Sequence, residues 1–143
     1  MKLERCILHR VMPAVVLLLA ASFGHAQEGI TFNVPFNFTI GTQSLPAGEY
    51  SVRPLPQSLN KMLLRNQSGQ VLMLVQTTPM ESRRTPDSPI VVFNRYGGQY
   101  FLNQIWERSD EFGQKVAKSR SEVELAKATH TTPQLVALTS AAR

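Results

Sequence analysis

Residues 30–40 read ITFNVPFNFTI. Ile30, Phe32, Val34, Phe36, Phe38 and Ile40 take the even positions, and Thr31, Asn33, Pro35, Asn37 and Thr39 the odd ones. Successive side chains of an extended chain point to opposite faces, so this run predicts a β-strand with one apolar and one polar face. Helical winding would scatter the six apolar residues around its circumference. Pro35 lacks the N–H that an interior ladder needs, which predicts an edge or bulged strand.

The residues that follow look built to cover that apolar face. A turn cluster at 41–44 and LPAGEY (45–50) lead into a strand over 49–55, with Pro46 presetting φ and Gly48 suited to a tight turn. Strands over 61–66 and 70–77 flank the Gln67-Ser68-Gly69 turn, and the unbroken apolar run VLMLV (71–75) predicts a strand covered on both faces. Residues 78–89 carry Pro79, Pro86 and Pro89 without apolar periodicity, which predicts a long surface loop. A hairpin over 90–96 and 99–107, joined at Gly97-Gly98, suits a type I′ turn. A two-residue loop pairs Arg95 with Tyr100, Phe93 with Leu102 and Val91 with Gln104, with Trp106 further along that face. Residues 109–114 read as a turn. Ser119 and Ser121 each precede a glutamate three residues on, Glu122 and Glu124, the capping-box pattern. They predict a short helix over 122–129 with Val123 and Ala126 towards the sheet and a Glu124–Lys127 pair. The sum is an all-β fold, an antiparallel β-sandwich or small β-barrel of about six or seven strands with a short C-terminal helix.

The 143-residue chain has the length for one domain with a real core. Its N-terminus reads as an export signal at 1–26: Lys2, Arg5 and Arg10, an apolar run at 13–23, then the small residues Gly24 and Ala26 flanking His25. The alternative is an uncleaved anchor helix, for which the apolar run is short. Residues 27–130 then form the β domain with its helix, and 131–143 a tail that either frays or adds a last strand. Removing 1–26 takes away three bases and Glu4, lowering the net charge from +5 to +3. The remaining cations are spread singly, unlike the basic stripe of a nucleic-acid binder. Cys6 and two of the three histidines, His9 and His25, leave with the signal. The processed chain thus has no disulfide or lipid-bearing cysteine, and after cleavage no stable membrane anchor is expected. The expected location is periplasmic or extracellular.

No catalytic, metal or cofactor motif stands out. Glu107, Asp110 and Glu111 form an acidic group fit either for acid–base work or a hard cation, or simply a hydrated turn. His130 with Ser119 or Ser121 and Glu122 has the residue types of a nucleophile and base, without a nucleophile-elbow motif. The aromatic hairpin is the richest group. Arg95, Tyr96, Tyr100 and Trp106 define a possible binding surface, where aromatic rings among Asn and Gln side chains stack on sugars or line a pocket. The competing reading makes these residues the core and its polar reverse. An exported non-catalytic binding or envelope-associated domain is the leading expectation, its partner open between an envelope polysaccharide and a small apolar ligand. The alternative is a lipocalin-like carrier of a small apolar ligand, and a hydrolase comes third.

The segments VPFNFTIG (34–41), LPAGEY (45–50), FNRYGGQYFLNQIW (93–106) and KSRSEVELA (118–126) follow one another in an order that resembles the small signal-bearing secreted proteins common in acidobacterial genomes. The resemblance spans most of residues 27–128. It implies an exported β domain and carries no activity or site residue with it.

Overall fold

Eleven elements follow in chain order: β1 Ile30–Val34, β2 Phe38–Ile40, β3 Gln43–Leu45, β4 Gly48–Pro54, β5 Lys61–Asn66, β6 Val71–Glu81, β7 Ile90–Tyr96, β8 Gln99–Trp106, β9 Phe112–Val116, α1 Arg120–Thr129 and β10 Gln134–Thr139. They come from a computed structural model that describes residues 29–140. The export signal read at 1–26 lies outside the described residues.

The strands form one open, mixed sheet folded over a single core. Its first part runs β1-β4-β5-β6, all antiparallel. β6 belongs to both parts: Val71 to Gln76 pair with β5, and Thr77 to Glu81 pair with β9. The second part continues β9-β8-β7-β10. β2 joins the free edge of β8 in parallel through Thr39 and Phe101, with β3 hairpinned outside it. The free edges of β1 and β10 meet at a seam, where the Ser140 hydroxyl donates to the Thr31 carbonyl.

The opening run divides at Pro35. All five even positions in β1 and β2 are buried while Phe36, in the break, is partly covered, so the two-residue period survives the interruption. β1 pairs on one side only, as Pro35 predicts for an edge. This split, together with the short β3, β9 and β10, gives ten strands where six or seven were expected. β3 and β9 were hidden because three- and five-residue strands with Gln, Ser, Gly and Lys carry little apolar signal. Between the two parts, Phe36 and Phe38 pack edge-on to Phe93 and Tyr50 packs edge-on to Phe38, with centroids 5.2–5.3 Å apart. Phe32, Val34, Val52, Met62, Leu64, Val75, Val91 and Ile105 fill the rest. Each such fully buried side chain contributes about 1.5–3 kcal/mol. LPAGEY is explained by Tyr50, whose hydroxyl donates to the Pro46 carbonyl at 2.6 Å and ties the turn to the strand it opens.

Four expectations need correction. The loop read at 78–89 is shorter, because β6 runs on to Glu81. Pro79 is tolerated there: Thr77 N–H bonds to the Asn60 carbonyl, so the nitrogen two residues on faces the same side, where β5 has ended. VLMLV is not covered on both faces. A bulge leaves Leu72 without a partner on β5, turning both Leu72 and Met73 to the core and leaving Val71 and Leu74 about half exposed. The β7–β8 hairpin also carries a bulge. Arg95 pairs with Tyr100 and Phe93 with Leu102 as expected, but Asn103 is the extra residue, so Val91 faces Ile105 instead of Gln104. The turn has positive φ at Gly97 alone, the pattern of a type II′ turn. Lastly, α1 begins at Arg120, capped by Ser119, whose hydroxyl accepts from Glu122 N–H at 3.1 Å. That phase buries Glu122 and leaves Val123 exposed. The exposed ion pair is Arg120–Glu124, not Glu124–Lys127.

Candidate functional site

Four side chains, Arg95, Tyr96, Tyr100 and Trp106, were expected to share a surface. The structure separates them. Tyr100 stacks on Phe36 at a centroid distance of 3.8 Å, and the Arg95 guanidinium lies 5.6 Å from its ring centre. Arg95 is further committed by donating to the Gly97 carbonyl at 2.8 Å and to Gln134 at 3.4 Å, clamping the turn to β10. This pair closes one end of the core.

Tyr96 lies on the outer face of the second part of the sheet and is buried under α1. There it joins a polar chain. Asn103 Nδ2 donates to Asn94 Oδ1 at 3.0 Å, Asn94 Nδ2 donates to Glu122 Oε1 at 2.7 Å, and the Tyr96 hydroxyl donates to the same oxygen at 3.3 Å. All four residues are buried, with Val92 and Phe101 also covered on this face. Glu122 is the only buried residue of α1, so one carboxylate seats the helix. The capping-box spacing signals Ser119 correctly, but the glutamate serves the sheet instead of the helix end. The bulge at Asn103 is what turns that side chain towards Asn94.

The same bulge moves Trp106 to the outer face, at the far end of β8 from Tyr96. Gly113 of β9 pairs directly with Trp106. A Cβ built on Gly113 would fall against indole Cε3, Cζ3 and Cδ2, nearer than real Cβ atoms come. Those three consecutive ring atoms stand at nearly equal distances from that point, so the face of the indole, not its edge, covers the glycine. Trp106 Nε1 donates to Gln104 Oε1 at 3.0 Å, which fixes the ring's rotation. The second face of the indole points away from the sheet, and among the described residues no aromatic ring or guanidinium stacks on it. Lys115 pairs with Gln104 and Thr78 pairs with Lys115, placing exposed donors and acceptors beside the ring at strand spacing. Trp106 is thus a partly exposed, pre-oriented aromatic platform with a polar margin.

Other candidate chemistry falls elsewhere. Glu107 and Asp110 line a small, partly open cleft between the two parts of the sheet, with Lys61, Gln114 and the exposed Leu59 and Phe112. Burial, and secondarily the neighbouring Asp110 charge, hold the Glu107 carboxyl above its ordinary range. Asp110 Oδ1 accepts from Phe112 N–H at 2.9 Å, a turn-closing role. Among the described residues no three His, Cys, Asp or Glu side chains gather to hold a metal ion. Ser119 and His130 cap opposite ends of α1, about 15 Å apart at helical rise, so no nucleophile–base pair forms.

No protein-family model, curated protein or solved structure matches the chain.

Of the platform, sequence reasoning found Trp106 and missed Gly113, which read as a turn residue. The signal was Phe112-Gly113 followed by the alternating Gln114, Lys115 and Val116, too short to stand out alone.

Proposed function

We propose that this chain is an exported, non-catalytic β domain that binds an extended polysaccharide of the cell envelope through Trp106. The observation that carries the reading is the indole laid face-down on Gly113, its rotation fixed by Gln104. A sugar ring offers an apolar face of C–H groups and a rim of hydroxyls. An immobilised aromatic face matches the first, and Gln104, Lys115 and Thr78 match the second. Fixing the ring before binding lowers the ordering cost of association. Export rests on the basic, apolar and small-residue sequence of 1–26 and agrees with the resemblance to signal-bearing acidobacterial proteins.

A lipocalin-like carrier needs an apolar cavity, and here the middle of the space between the two parts of the sheet is taken by four interlocked aromatic rings and eight further buried side chains, with the cleft beside Glu107 at its margin. That favours surface recognition. Two measurements test the proposal. N-terminal sequencing of the exported protein is expected to begin near Gln27. In pull-downs with peptidoglycan sacculi and insoluble β-glucans, Trp106→Ala is expected to lose retention while Tyr100→Ala keeps it. Equal retention by both variants overturns the assignment.

A further inference from the structure

Among the described residues no element packs on the outer face of the first part of the sheet, although the VLMLV run supplies it with apolar side chains. Register places Arg53, Leu63 and Leu74 in one row across β4, β5 and β6, and Arg65 with Val71 in the next. Lys61 follows on the same face of β5, two residues before Leu63. Leu74 and Val71 are 52% and 47% exposed. The three cations on this face meet one acid, Glu49, and the single ion pair among the described residues lies elsewhere, at Arg120–Glu124. Arg53 and Arg65 each hold an Nε–H that is shielded from water and has no acceptor among the described residues, so their stems lie along the sheet with the terminal nitrogens outermost.

We propose that this face docks on a bilayer surface rich in anionic lipid headgroups. Arg53 and Arg65 are diagonal neighbours across β4 and β5, so their side chains start about 7–8 Å apart, and Lys61 extends the row of charge. Phosphate groups pair with the outer guanidinium nitrogens of Arg53 and Arg65 and with the Lys61 ammonium, while Leu74 and Val71 enter the headgroup boundary between them. The combination selects a lipid surface over a free anion, since a free phosphate would leave the leucine and valine in water. Because Trp106 is on the opposite outer face, lipid and glycan readouts fail separately.

The test is co-sedimentation of the chain from Gln27 onward, which contains the whole described fold, with vesicles of phosphatidylglycerol in phosphatidylcholine, compared with phosphatidylcholine alone. Binding is expected only with the anionic vesicles and is expected to weaken as salt is raised. Each surface cation is worth roughly fivefold, so Arg53→Gln with Arg65→Gln is expected to weaken binding roughly thirtyfold. Leu74→Ser with Val71→Ser is expected to weaken it also, and Trp106→Ala to leave it unchanged. Circular dichroism verifies that each variant is folded. Failure of the unaltered chain to bind anionic vesicles at low salt overturns the proposal, as does full binding by either folded double variant.

Discussion

Removing the Glu122 carboxylate tests the most unusual contact in the fold. Glu122 is 2% exposed and accepts from two buried donors, Asn94 Nδ2 and the Tyr96 hydroxyl, and forms no ion pair among the described residues. Glu122→Ala leaves both donors unpaired, at about 1–3 kcal/mol each. Against this stands the relief of no longer burying a polar carboxyl group, which recovers part of that loss. The net expectation is a loss of about 2–4 kcal/mol, a large share of the roughly 5–15 kcal/mol of a typical domain. Glu122→Gln keeps a carbonyl for Asn94 but adds an amide that needs acceptors, so it should fall between. The assay is urea unfolding followed by far-ultraviolet circular dichroism, with a double-mutant cycle against Asn94→Ala. The coupling should fall within the 0.5–3 kcal/mol seen for contacting residues. A Glu122→Ala chain with an unchanged urea midpoint, or a cycle with no coupling, would refute the role given to this carboxylate.

Three further outcomes are expected. Gly113→Ala places a methyl group against the Trp106 indole, so it should cost about 1–3 kcal/mol by overpacking, shift the tryptophan emission and lower glycan retention together. Glu107 is raised above its ordinary value of 4.5, first by burial and then by Asp110. The folded state therefore keeps a proton that the unfolded state releases, so stability falls as pH rises from the ordinary carboxylate range through the raised value; Glu107→Gln should flatten that part of a urea-midpoint profile. Phe38→Ala, at a site 1% exposed, should cost about 3–5 kcal/mol, and Phe36→Ala roughly half as much because its ring is only partly covered; equal calorimetric losses would contradict the placement of Phe36 in the break after β1.

What the sequence shows plainly is what depends on a two-residue period or a strong turn. The alternation of 30–40, the Gly97-Gly98 hairpin and the Ser119 cap all appear in the structure at the expected residues. Bulges defeat that reading, because one unpaired residue reverses the faces of everything beyond it. At Leu72 a bulge makes VLMLV look like a strand buried on both sides, when it leaves Val71 and Leu74 open. At Asn103 another sends Ile105 to the core and Gln104 and Trp106 outward, which took Trp106 off the face of Arg95 and Tyr100, while Tyr96 is turned from them by ordinary alternation. Neither bulge leaves a local mark such as a glycine in the bulged strand. Glu122 is a different kind of miss. As a cap partner it belongs on the surface, and its burial depends on Asn94 and Tyr96 from a hairpin more than twenty residues earlier.

The central claim is that Trp106 presents a free aromatic face to a sugar polymer. It is the only tryptophan in the chain, so its fluorescence reports on that site alone. The direct measurement is emission and acrylamide quenching during titration with solubilised peptidoglycan fragments and soluble β-glucans. The account predicts a saturable emission shift and protection from quenching with at least one of these polymers. Emission and quenching unchanged across the whole series, in a folded protein, would contradict it.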